Sequence, residues 1–234
     1  MQRSVKVNGE IIDYTLIKTA RASVEIRVLP NEIRLFAPQS YPLRRADQLV
    51  RDKADWIAQA RRRFTEYEAR EAALYPMTDG MPVPVEGRQY TLRVTYGTRS
   101  SAYQAGDELV IITPDTAPDK VREALRGYLI GRAQQRIRER LDHFIPLVGR
   151  APGRVTIREQ RTKWGSCSGQ GNLNFNWKLI MAPPEALDYV VIHELCHLYE
   201  FNHSPRFWER VSRYMPEYAV WRDFLRSGWA HPFP

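Results

Sequence analysis

Cysteine is nearly absent: Cys167 and Cys196 are the two in 234 residues, too few for a disulfide framework. A reducing compartment fits this scarcity, with a single bridge as the other option. Long apolar runs are missing too. No uncharged stretch approaches the about 18 residues a bilayer span needs, and residues 1–10 hold no apolar signal core. These absences lead us to expect a cytoplasmic protein with no membrane partner. Negative charge is in deficit, with 27 Asp and Glu against 35 Lys and Arg. The net charge of +8 brings acidic partners such as nucleic acid into consideration. Yet the basic residues sit among acids, as in Arg61-Arg62-Arg63 before Glu66 and Glu68, and a solvated helix face explains such a run equally well.

What is present is a mixture of strand-like and helix-like patterns. Runs at 11–18, 23–28 and 32–37 read as strands between the turn signals Asn8-Gly9 and Pro30-Asn31. Residues 43–71 then carry Leu49, Trp56, Ile57, Ala60 and Phe64 at helical intervals. Residues 76–84 read as a connection. Strands at 90–96 and 108–113 follow, then a long helix over 118–144. A shift of 76 residues lays Tyr14-Thr15-Leu16 on Tyr90-Thr91-Leu92, Asn31-Glu32 on Asp107-Glu108 and Pro38 on Pro114. Two similar β-hairpin-plus-helix units would explain this; chance matching of short strands would too. Beyond residue 150, strands are expected at 155–159 and 171–180, the second with Leu173, Phe175, Trp177 and Leu179 on one side. Pro183-Pro184-Glu185 opens a helix, Ser204-Pro205 another, and a closing amphipathic helix follows Pro216. The expected organisation is 1–75, 76–150 and 151–234, the last two able to form one continuous body.

The chemistry concentrates at 193–197, which read His-Glu-Leu-Cys-His. Positions four apart on a helix lie about 40° apart round the axis, so His193 and His197 project from one face. That spacing suits two nitrogen ligands on one tetrahedral zinc, with Glu194 placed to meet a metal-bound water. A catalytic zinc needs a third protein ligand and an open position. On a continued helix His203 would point about 240° from His197, so the chain must turn between them. Asn202 can supply a left-handed C-cap, and Ser204-Pro205 restarts a helix at once. The rival third ligand is a later glutamate, Glu209 or Glu217, neither with a comparable turn. His143 ends a helix and His231 lies in the tail; neither has ligand spacing. Cys196 reads as a small apolar residue, and Cys167 as core or near the site.

Three further motifs stand in order with this one: Arg161-Thr162-Lys163-Trp164-Gly165-Ser166-Cys167-Ser168, Asn172-Leu173-Asn174-Phe175-Asn176-Trp177, and Asn202-His203-Ser204-Pro205-Arg206-Phe207-Trp208. Together they resemble the YgjP-like metallopeptidases, relatives of the SprT-like zinc proteases, most strongly over about residues 155–225. The resemblance implies an α+β, zincin-like fold, with a small antiparallel sheet packed on the zinc helix. It implies one Zn2+ per chain on His193, His197 and His203, with Glu194 as the catalytic glutamate acting on protein or peptide substrates. SprT-like relatives include proteases acting on protein crosslinked to DNA, which by analogy keeps nucleic acid in view. Substrate is expected to dock along the edge of strand 171–180, with Trp164 and Ser166 lining its approach. Tyr199, Arg206 and Tyr218 are candidates to contact substrate or its oxyanion. Two other classes compete: a structural zinc module completed by Cys167 or His143, and a basic DNA-associated protein with a zinc site.

Overall fold

The computed structural model describes residues 1–29, 31–160 and 162–227. Pro30, Arg161 and His231 lie outside them. The chain divides into two compact units, Met1–Leu74 and Tyr75–Pro234.

The first unit starts with β1 (Gln2–Val7) and β2 (Glu10–Thr19). They are joined by Asn8-Gly9 with both φ values positive (50° and 89°), the conformation that two-residue hairpins favour. An antiparallel pair, β3 (Glu25–Val28) and β4 (Ile33–Pro38), follows. β4 lies parallel to β2, giving the order β1-β2-β4-β3. The expected single helix over 43–71 is two, α1 (Leu43–Asp52) and α2 (Ala54–Leu74), broken at Lys53. Val50 and Ile57 are buried with Leu16 and Leu35, whereas Trp56 is 48% exposed and belongs to the outer face. Asp47 ties α1 to the sheet, accepting from Arg3 Nε (2.8 Å) and Nη2 (2.7 Å) and from Tyr14 Oη (2.7 Å).

The second unit opens on the same plan. β5 (Pro82–Val85), β6 (Arg88–Tyr96), β7 (Ser101–Ala105) and β8 (Glu108–Thr113) are ordered β5-β6-β8-β7, with β6 and β8 parallel. The connection expected over 76–84 thus contains a strand. Its two prolines are tolerated because β5 is an edge, and Val83 and Val85 fill the core. The Glu25–Phe36 pair sits 76 residues before Ser101–Ile112, so the second hairpins share the frame seen in the sequence. The first hairpins do not: the turn Glu86-Gly87 lies 78 residues after Asn8-Gly9. Tyr14 therefore corresponds to Leu92, and the Tyr-Thr-Leu identities are two places out of register. An offset of two keeps the same face inward.

A long helix, α3 (Pro118–Val148), buries Leu125, Leu129 and Ile137 and stops at Gly149 in the left-handed conformation (φ 79°). Beyond it come β9 (Val155–Arg158), β10 (Gly165–Cys167) and β11 (Leu173–Asn176), then a 3-10 turn (Trp177–Met181) and the helices α4 (Pro184–Cys196), α5 (Pro205–Tyr214) and α6 (Tyr218–Arg226). The α+β class stands. The small sheet, however, is mixed rather than antiparallel: β11 is central, antiparallel to β10 and parallel to β9. The connection from β9 to β10 must cross the end of β11. The buried Asn176 holds it there by donating to the carbonyls of Gln160 (2.9 Å) and Lys163 (3.2 Å). Its Oδ1 also accepts from Lys178 N (3.2 Å), which ends the strand and starts the 3-10 turn. Residues 171–180 are therefore not one strand, although Leu173, Phe175, Trp177 and Leu179 are all buried. One hydrophobic core runs through the unit, from Leu92 and Leu109 through Leu125 to Phe175 and Val191. Arg140 on α3 grips Asp188 on α4 through two bonds (2.6 and 2.8 Å). No described helix is long and apolar enough to cross a membrane.

Candidate metal centre

α4 begins on Pro183-Pro184 with Glu185 in its first turn, where a fixed φ and a negative charge both favour initiation. Its last turns are buried nearly all round, Val191, Ile192, Leu195 and Cys196 among them. In that apolar setting stand His193, Glu194 and His197. Nε2 of His193 lies 3.1 Å from Nε2 of His197 and 3.1 Å from Nε2 of His203. Ligand nitrogens on one tetrahedral zinc at about 2.05 Å would be about 3.3 Å apart, so the three imidazoles fit one small metal ion. They are the one group of three or more potential ligands, all within 4.8 Å, found among the described residues.

The turn that returns His203 differs from expectation. Asn202 is not left-handed; its Oδ1 accepts from Ser204 N (3.2 Å), so the side chain rather than the backbone makes the bend. Ser204 Oγ then accepts from Phe207 N (3.4 Å) and caps α5. α5 also supplies the aromatic backing. His197 stacks on the buried Phe207 (4.4 Å, 27°), and His203 on Trp208 (5.4 Å, 25°). Trp208 in turn stacks on Tyr218 (5.1 Å, 14°).

Loss of solvent favours the neutral form of the rings, the form metal ligation requires. It pushes His193 down to about 3, helped by the neighbouring His197 and His203. It also lowers His197, against the upward pull of the Glu200 carbonyl, and His203, helped by Arg226. His197 Nδ1 is 2.8 Å from that carbonyl and His193 Nδ1 is 3.3 Å from Tyr189 Oη. A proton on His197 Nδ1 donated to Glu200 O leaves Nε2 free for metal.

Glu194 is 4% exposed. Burial raises its carboxyl to about 8, opposed by Lys163, and Oε2 has no hydrogen-bond partner among the described residues. A buried acceptor left unpaired is costly, so this oxygen is free for a group that is not part of the protein. Gly165 makes room for it: a Cβ there would lie 2.5 Å from Glu194 Oε1. The place of Gly165 between Trp164 and Ser166 in the motif is the one signal of this role that the sequence carries.

Trp164 is half-buried, lines the cleft in front of the histidines and donates Nε1 to Leu225 O (3.3 Å). Ser166 pairs with Asn174 in the sheet and is not part of that lining. Tyr199 and Arg206 are also absent from it. Tyr199 donates to Val148 O (3.1 Å) beneath Arg210 (4.1 Å), and Arg206 is exposed. Tyr218 is occupied in stacking on Trp208. The cleft instead brings in Lys163, Tyr189, Arg222 and Arg226, none singled out beforehand. Glu209 pairs with Arg213 (2.6 Å), and Glu217 stands at the N-cap position of α6 without a side-chain capping bond. His143 is exposed and edge-on to Phe144. Burial, then Glu194, raises the thiol of the half-buried Cys167; burial raises Cys196 to about 12.

β10 is an edge strand. Trp164 O accepts from Asn176 N (2.8 Å) and Ser168 N donates to Asn172 O (2.9 Å), so positions 164, 166 and 168 bond to β11. By antiparallel alternation Gly165 and Cys167 turn their amides and carbonyls outward.

A family model described as YgjP-like, metallopeptidase domain, matches residues 22–228. Among solved structures the chain is similar to the metallopeptidase zymogen abylysin of Pyrococcus abyssi (TM-score 0.38, 23% identity, 42% of this chain and 99% of that one). It is also similar to the zymogen jannalysin of Methanocaldococcus jannaschii (0.36, 19%, 40% and 96%). No curated protein matches.

Proposed function

The chain belongs to the YgjP-like metallopeptidase family, and from that membership we propose that it is a zinc peptidase using His193, His197 and His203 as ligands and Glu194 as general base. The single observation that carries this reading is the unpartnered, buried carboxyl of Glu194 next to His193, whose Nε2 lies 3.1 Å from Nε2 of both His197 and His203. Donor type supports zinc: three imidazole nitrogens suit it, whereas calcium and magnesium prefer oxygen. When bound there, zinc would acidify a water and polarise the scissile carbonyl.

Glu194 then takes the proton of the attacking water on Oε2 and returns it to the leaving amine. A carboxyl lifted towards neutrality by burial is suited to both transfers. Tyr189 orients His193, and the Glu200 carbonyl orients His197. The extended substrate pairs with β10 rather than with strand 171–180, because β11 already has a neighbour on each side. Gly165 and Cys167 offer the outward backbone groups for that pairing.

The test is bound zinc by elemental analysis in wild type, His203→Ala and Glu194→Gln, with casein cleavage on the same samples. One zinc per chain is expected, weakened by His203→Ala and retained without cleavage in Glu194→Gln. A folded wild type that neither holds nor takes up zinc would overturn the ligand assignment; unimpaired cleavage by Glu194→Gln would remove the base.

A further inference from the structure

The cleft in front of the histidines has a volume of about 540 Å3, within the range of sites that hold several groups of a ligand. Three aromatic side chains, Trp164, Tyr189 and Trp208, stand in its walls. Its charge is one-sided. Lys163, Arg222 and Arg226 line it against a single acid, Glu194, which is recessed and buried.

The three cations are not equivalent. Arg222 is committed, paired with Asp223 (2.9 Å) and lying over Trp208 (5.6 Å) and Tyr218 (5.8 Å). Lys163 and Arg226 have no hydrogen bond or ion pair with any described residue through their charged ends. Arg226 ends α6, where the helix dipole alone would favour a cation. Lys163 has no such reason to be where it is: it lies in the connection before β10. The two come from separate elements and meet at one cleft. Two like charges facing one partly enclosed space repel each other until an anion enters. A basic substrate group would meet both, so the same pair attracts one class and rejects the other.

We propose that Lys163 and Arg226 select substrates with a carboxylate next to the scissile bond, either an Asp or Glu side chain or the free C-terminus. This rests on the peptidase reading above and names the substrate class for that site.

The test uses matched fluorescent hexapeptides differing at one position (Asp, Glu, Asn or Lys), each with a free or amidated C-terminus. Affinity is read by anisotropy on full-length Glu194→Gln protein or, should that variant cleave, on protein stripped of metal. Acidic peptides are expected to bind about 10-fold more tightly than Asn peptides, about one charge-assisted contact. The preference should shrink as salt rises. Arg226→Ala or Lys163→Ala should reduce it, and Arg226→Glu should shift it towards the Lys peptide. A shift in preference cannot come from misfolding, which only loses binding. The side-chain and C-terminal arms identify which carboxylate is read. Equal affinity for Asp and Asn peptides in both arms would overturn the proposal. So would an acid preference unchanged in Arg226→Glu, or Arg226-dependent binding of an oligonucleotide without any peptide preference. Cleavage surviving Glu194→Gln would remove the base and leave the carboxylate preference standing.

Discussion

At the scale of the residue, the burial that would suit Glu194 to the proposed proton transfers carries a stability cost. Its carboxyl is raised from 4.5 to about 8 by burial. Between those values the folded metal-free protein keeps a proton that the unfolded chain releases. Stability from this group is therefore complete at low pH and declines as pH rises through that window. The glutamine variant has no such proton to keep. Metal-free Glu194→Gln should be more stable than metal-free wild type at pH 7, by on the order of 3 kcal/mol, with no difference at pH 4. Denaturant unfolding at the two pH values checks this; equal stabilities at pH 7 would mean the carboxyl is well solvated. That His193 and His197 lie side by side was legible because positions four apart share one helix face. The cleft cations Lys163 and Arg226 were not, because charge on a lone residue says nothing until a neighbouring element faces it.

At the scale of the element, the contact of β10 with α4 decides whether Glu194 is aimed correctly. Gly165→Ala would place a methyl 2.5 Å from Glu194 Oε1 and push the carboxylate aside, while the histidines, which that methyl does not meet, stay put. The expected result is full metal content with kcat reduced about 100-fold, the scale of a displacement of about 1 Å at a reacting group. Gly169→Ala, with nothing within 4 Å, serves as the neutral control. Unchanged kcat in Gly165→Ala would show that the carboxyl finds another path. The helices α3, α4, α5 and α6 were legible from apolar spacing and start signals such as Pro183-Pro184 and Ser204-Pro205. The end of β11 was not: Leu173, Phe175, Trp177 and Leu179 alternate as a strand should, yet the side chain of Asn176 caps a 3-10 turn within that pattern. Parallel pairing escaped for a related reason. Alternation fixes the faces of a strand and not its neighbour's direction.

At the scale of the whole molecule, the two units have separate cores and should answer to acid differently. In Met1–Leu74, Asp47 is held below the usual carboxylate range, chiefly by Arg3. A depressed folded value gives stability that is present above about pH 4 and lost as pH falls further. Acid should thus weaken this unit through Asp47, and Asp47→Asn should remove that dependence while lowering stability at neutral pH. Unfolding followed from pH 7 to pH 2 checks it; an unaltered acid profile in Asp47→Asn would assign the effect elsewhere. The repeat of 76 residues was legible in outline. The slip of two in its first hairpin was not, because an even offset leaves the buried face unchanged.

One feature of the centre bears on how the protein comes into being. His193 and His203 are ten positions apart, with His197 between them, and a loop that short costs little to close. Gly165, which seats Glu194, arrives from β10, outside that segment, and needs the sheet to be built. If the proposed function holds, capturing the ion and arming the carboxylate are thus separate events in biogenesis. A chain caught between them would carry metal without yet being able to cut.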